Sequence, residues 1–90
     1  MNRTSTITIK RVLNVTDLAG EKVMVDFENG KYFMIKGVGN DIWDMLEENI
    51  TVEKIIANLM AEYDVTEEVC EQEVLKFLNS LESIGIIGEA

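Results

Sequence analysis

Histidine and proline are both absent from this 90-residue chain, and it carries one cysteine, Cys70. Without histidine the commonest general base is missing, and so are the usual imidazole ligands of a soft-metal site. A lone cysteine cannot form an internal disulfide, so nothing in the cysteine usage points to an oxidising compartment. Cationic side chains are also scarce: eight Lys and Arg face 17 Asp and Glu, a net charge of -9 that repels polyanions. Nucleic acid is therefore a disfavoured partner. Long apolar runs are missing as well. Nothing approaches the roughly 18 uninterrupted apolar residues of a membrane helix, and stretches such as Ile55 to Ala61 are broken by polar groups. The polar, threonine-rich segment from Met1 to Lys10 has no apolar centre of the kind a secretory signal needs. These absences together describe a cytoplasmic protein with no cofactor, no membrane span and little of the equipment of catalysis.

What is present suits one small domain. An apolar content of 47% supplies a core, although a chain this short leaves little interior for a deep cavity. No proline, repeat or low-complexity linker divides the chain, and residues 1–90 read as a single α+β domain with residues 1–6 flexible. Its first third looks extended. Val12 to Val15, starting near Ile7, makes a first strand, and Asp17 to Gly20 supplies turn chemistry. Lys22 to Phe27 alternates, with Val23, Val25 and Phe27 on one face and Met24 and Asp26 on the other. Asn29-Gly30 then signals a hairpin, because both residues tolerate positive φ, and Lys31 to Ile35 follows as the third strand. A two-residue loop would group Val25 and Phe27 with Tyr32 and Met34. A three-residue loop with a glycine bulge would gather Val23, Val25, Phe27, Phe33 and Ile35, the more uniformly apolar set, and is the register favoured here.

The remainder is helical. Helix one spans Val38 to Glu48, with Ile42, Trp43 and Leu46 on neighbouring turns and Trp43 as a core anchor. Helix two has the clearest period, Val52, Ile55, Ile56, Leu59, Met60 and Tyr63, behind a Thr51 cap. Helix three follows a Thr66 cap, with Glu67 and Glu68 against the positive end of its dipole and Cys70, Val74, Phe77, Leu81 and Ile84 as its inner stripe. Gly85 ends it, and Ile86-Ile87 tuck back onto the core. A three-stranded antiparallel sheet followed by three helices is the outline of a winged helix-turn-helix-like fold.

That outline assigns no chemistry by itself. Cys70, on the apolar stripe, reads as a small buried hydrophobe. Glu67, Glu68, Glu71, Glu73 and Glu82 read as a solvated acidic surface. Gly37 and Gly39 lack the Gly-Lys-Ser/Thr continuation of a phosphate loop. Helix three would be the groove reader of a DNA-binding winged helix, yet it carries five glutamates against Lys76 alone. The backbone offers another possibility. An edge strand exposes unpaired N–H and C=O groups that can capture an extended peptide as one more strand, and Lys31 to Ile35 is the candidate edge. Helix three, through Val69, Glu73, Lys76 and Ser80, would supply the facing wall. The alternative is that Tyr32 and Met34 are ordinary half-exposed strand residues.

The run Gly20-Glu21-Lys22-Val23-Met24-Val25, then Asn29-Gly30-Lys31-Tyr32-Phe33, then Val38-Gly39 with Ile42-Trp43-Asp44-Met45-Leu46, resembles the PqqD-like family of pyrroloquinoline quinone biosynthesis and its relatives. Thr51-Val52-Glu53, Glu62-Tyr63-Asp64-Val65 and Glu73-Val74-Leu75-Lys76-Phe77-Leu78, ending in Gly85-Ile86-Ile87, resemble its helical half, so the likeness runs from about Leu18 to Ile87. The resemblance implies a recognition element for ribosomally made, post-translationally modified peptides, without catalytic residues of its own. It implies that a precursor's leader is added as a strand beside Lys31, Tyr32, Phe33, Met34 and Ile35, against Val69, Glu73, Lys76, Phe77 and Ser80. Within the family the pieces look most like the stand-alone leader-binding proteins of lasso-peptide clusters. Those act with a separate leader peptidase and a cyclase, and this chain is expected to be a monomer or weak dimer. A chaperone for a radical-enzyme-modified peptide, of quinone-cofactor or sactipeptide type, is the alternative, and a degenerate winged-helix adaptor binding through helix three is a further one. Lys36 stands where the family often has Asn or Gly, which leaves the start of helix one open.

Overall fold

Gly30 adopts φ +64° in a computed structural model that describes residues 1–11, 13–19 and 21–90. It closes the turn between two strands, β3 (Glu21–Asp26) and β4 (Lys31–Ile35). The register pairs Asp26 with Lys31, Val25 with Tyr32, Met24 with Phe33 and Val23 with Met34. The loop is thus neither two nor three residues but four, 27 to 30. The favoured apolar grouping is overturned: Val23 and Val25 share the outer face with Tyr32 and Met34, while Met24, Phe33 and Ile35 turn inward. Phe27, expected to join the core face, is 76% exposed.

A buried acid decides this register. The Asp26 carboxylate is 5% exposed. It accepts from the N–H groups of Glu28 (3.2 Å) and Asn29 (3.3 Å), from Asn29 Nδ2 (2.7 Å) and from Arg11 Nη2 (3.2 Å). An inward carboxylate would ordinarily be costly, but four donors satisfy it and fold the loop around it. Those donors, the Asn29 side chain foremost, hold its pKa below the usual aspartate value against the opposing effect of burial.

The expected first strand proves to be two. β1 (Thr6–Ile9) and β2 (Asn14–Leu18) lie in different sheets. β2 pairs with β3, giving the order β2-β3-β4. Val12 and Gly20, which the sequence reading placed in that strand and in the following turn, lie outside the described residues. Asp17 and Leu18 extend β2, and Ala19 makes the turn with φ +50°.

The helices follow their signals closely. Gly37, at φ +56°, lets α1 (Val38–Met45) begin directly after the edge strand. It ends three residues earlier than expected, with Leu46 buried at its C-cap and Trp43 half-buried against the core. Chain 50–51 then forms a short strand, β5 (Ile50–Thr51). Thr51 also caps α2 (Val52–Glu62), its Oγ1 accepting from Lys54 N at 3.2 Å. Val52, Ile55, Ile56 and Leu59 are buried, whereas Met60 and Tyr63 are exposed. Thr66 caps α3 (Glu67–Ser83) by accepting from Val69 N at 3.3 Å. Its core stripe is Cys70, Val74, Leu78 and Leu81. Leu78, not Phe77, fills the third position; Phe77 and Ile84 are half-buried at its flank.

Gly85, at φ +78°, reverses the chain into β6 (Ile87–Glu89), with Ile86 and Ile87 buried. β1 lies between β5 and β6, antiparallel to both. Residues 1–6, read as flexible, carry contacts: Thr6 opens β1, and Arg3 reaches Glu67 and Glu71 on α3. The fold is α+β with three helices, as read, and the sheet closed by the two chain ends is its addition.

Candidate functional site

In the order β2-β3-β4, the strand Lys31–Ile35 has a partner on one side only among the described residues. Its other edge faces α3. Between them runs a groove floored by Ile35 and Phe77, with Met34 and Lys36 on the strand side and Glu73, Lys76 and Ser80 on the helix side. Toward the C-terminal end of α3 it continues over Phe33, Leu81 and Ile84. Toward the N-terminal end it meets a cavity of about 140 Å³ lined by Val38, Ile42, Leu59, Tyr63, Val65, Val69 and Val74. Val38 and Glu73 belong to both the cavity and the groove, so the two are contiguous.

The ten residues singled out from the sequence divide among these parts. Met34, Ile35, Glu73, Lys76, Phe77 and Ser80 come together in the central groove. Phe33 lines its continuation, and Val69 lies at the apolar cavity. Lys31 and Tyr32 are on the edge strand but line none of these spaces. Tyr32 is 71% exposed on the outer face. Ser80 is fixed by its own helix, its Oγ donating to the Lys76 carbonyl at 3.0 Å.

Several lining residues escaped the sequence reading. Gly39 is the most informative, because a Cβ there would sit 3.0 Å from Phe77 Cε1 and 3.1 Å from Ile35 Cγ2. The missing side chain lets α1 press the Phe77 ring onto the end of β4. A glycine inside a helix is the signal that could have revealed this approach. Tyr63 and Val65 were hidden for another reason: Tyr63 leaves the α2 stripe at its extended C-cap, where its hydroxyl donates to Asp41 on α1. That hydrogen bond raises the Tyr63 pKa and ties the cavity's rim across two helices.

Charge around the groove is unevenly committed. Arg3, Arg11 and Lys22 are engaged in ion pairs elsewhere in the fold. Lys36 and Lys76, in the groove, form none among the described residues. Cys70 is buried beside Ile56, and burial raises its thiol pKa, the setting of an inert thiol. Among the described residues no group of three or more His, Cys, Asp or Glu is placed to hold a metal ion, and no helix is long and apolar enough to cross a membrane.

An open strand edge thus faces a helix across an apolar floor. The family model described as coenzyme PQQ synthesis protein D matches residues 21–87, from the start of β3 to the first residue of β6. The chain belongs to the PqqD family. Among solved structures it is similar to TbiB1 in complex with the TbiA(beta) leader peptide, at 29% identity and a TM-score of 0.79. That match covers 89% of this chain and 93% of the other. No curated protein matches. The family match begins within three residues of the Leu18 boundary drawn from the sequence motifs, and it leaves β1 and β2 outside.

Proposed function

We propose that this protein binds the leader region of a ribosomally synthesised precursor peptide by strand addition and catalyses nothing itself. The unpaired edge of β4, facing α3 across an apolar floor, is the observation that carries the reading. Membership of the PqqD family supports it, as does the likeness to a protein solved with a leader peptide. A leader laid along β4 satisfies the strand's open N–H and C=O groups, and its alternate side chains reach the groove over Ile35 and Phe77. Backbone hydrogen bonds give affinity, while Phe33, Lys76 and Ser80 in the groove and Val69 and Glu73 at the cavity side select side chains. Lys31, Tyr32 and Met34 hold the edge and outer face of the composite sheet.

The consequence for catalysis lies in the partners. A leader held here raises the effective concentration of the attached core peptide near a bound leader peptidase or cyclase. The resemblance of the motifs to stand-alone lasso-peptide leader binders, and the likeness to TbiB1, support a role in lasso-peptide biosynthesis in the cytoplasm. The family's tie to coenzyme PQQ synthesis favours a second reading in which the partner is a radical enzyme acting on a quinone-cofactor precursor. Reconstituting the precursor with a leader peptidase or with a radical enzyme separates the two.

Strand addition is tested by fluorescence polarisation with a labelled candidate leader peptide. Methylating alternate backbone nitrogens of the peptide should abolish binding for one alternate set and spare the other, since only one set faces β4. No binding, or equal loss from both sets, defeats the reading.

A further inference from the structure

Three of the eight cationic residues of this acidic chain, Lys31, Lys36 and Lys76, sit on the edge strand or in the groove. Of the other five, three are ion-paired, while Lys10 and Lys54, like the groove lysines, form no ion pair among the described residues. Arg3 is bound to Glu67 and Glu71, Arg11 to Asp26 and Glu28, and Lys22 to Asp17 and Asp44. Lys36, directly after β4, and Lys76, on the facing helix, line the same open space and have no ion-pair partner among the described residues. In a molecule of net charge -9 with acids on every helix, leaving two ammonium groups unmatched on opposite walls of one groove is a local excess of positive charge. Glu73 bounds it on one side, at the junction with the cavity whose lining atoms are entirely apolar. The order along α3 is therefore fixed: apolar at Val69, negative at Glu73, positive at Lys76, then apolar again over Phe77, Leu81 and Ile84.

We infer that the docked peptide carries an Asp or Glu side chain between Lys36 and Lys76, with an apolar residue on the Val69 side of it, so that charge sets the register of the added strand. The inference rests on the strand-addition reading above. A guest shifted toward Val69 would bring its carboxylate to Glu73 and lose the two lysines. Backbone pairing alone cannot make that choice, because one extended segment resembles another; the charged pair supplies it. Both ammonium groups are solvent-accessible, so the preference is moderate and weakens as salt screens it.

The probe is a displayed library of random ten-residue peptides selected on the full chain at low ionic strength. Wild-type protein should enrich Asp or Glu at one position of the aligned winners, and replacing that acid with its amide should weaken binding about three- to tenfold. A Lys36→Glu, Lys76→Glu protein should enrich Lys or Arg at the same position, the acid and its replacement having exchanged places. Winners with no preferred acid, or an unchanged preference in the double variant, overturn the charge assignment and leave the docking reading standing. Winners whose binding ignores Met34→Pro, or no winners at all, overturn the docking reading and the charge assignment with it.

Discussion

β1 is flanked on both edges, by β5 and β6, while β4 has β3 on one side and an open groove on the other. The two sheets are similar in strand number and differ in what they leave unfinished. In the first, Ile7 is fully buried, Ile9 packs on the core, and the Lys10 and Arg11 N–H groups both go to the Ile86 carbonyl. Its strands are two to four residues long and lock the chain ends onto the helices. In the second, β2 is exposed along its whole length, and the outer face shows Tyr32 and Met34 to solvent. An open apolar edge is normally protected against aggregation. Here one sheet ties both chain ends to the helices, and the other sets an edge strand beside α3.

Substitutions can break this division of labour. The largest effect is expected from Ile7→Ala, which empties a fully buried site in the closing sheet and should cost about 2–5 kcal/mol of stability by urea unfolding. Peptide affinity per folded molecule should stay unchanged; a large loss of affinity would show that the two sheets are not separable. Met34→Pro should do the reverse. It removes a strand N–H and sets a ring against the incoming peptide, so affinity in fluorescence polarisation should fall at least tenfold, about 1.4 kcal/mol, with a smaller stability loss than Ile7→Ala.

Finer substitutions sharpen the comparison. Gly39→Ala would press a methyl group against Phe77 and Ile35 on the groove floor. Stability should move by less than about 1 kcal/mol, because alanine's better helix propensity offsets part of the strain. Binding should still weaken a few-fold, and unaltered binding would mean the floor does not touch the peptide. The smallest effect is on pH dependence. Asp26 titrates below its ordinary value of 3.8 in the folded chain, so its contribution to stability is present above that value and is lost as pH falls through the lowered one. The urea midpoint of the wild type should therefore drop more steeply below pH 3.8 than that of Asp26→Asn. Parallel curves would remove the carboxylate from the account of the hairpin.

Legibility from sequence tracked the range of the forces involved. Thr51 and Thr66 capped the helices expected of them, and Gly85 with Ile86-Ile87 closed the C-terminus as read, because caps and stops act over three or four residues. The open edge at Lys31 to Ile35 and much of its facing wall were also legible, through strand alternation and the flank of one helix. Hairpin register was not. Apolar count favoured Val23 with Phe33 and Ile35, and a satisfied buried carboxylate at Asp26, held partly by the distant Arg11, chose otherwise. Phe77 was read both as core stripe and as groove wall; it is half-buried on the groove floor, since helical period fixes which residues are neighbours but not where the stripe ends. The cavity beside Val69 draws on three helices and the connection before α3, and no single segment's pattern contained it.

By itself the sequence determined an acidic, histidine-free α+β domain with three helices, two of them threonine-capped, and a strand suited to be an edge, because composition and short-range periodicity are written residue by residue. Only the tertiary structure decided that the chain ends form a second sheet, that Asp26 sets the hairpin, and that Lys36 and Lys76 line one groove without an ion pair among the described residues. Those outcomes depend on which distant groups satisfy each other's hydrogen bonds and charges once water is excluded, and that is settled between elements, not within them.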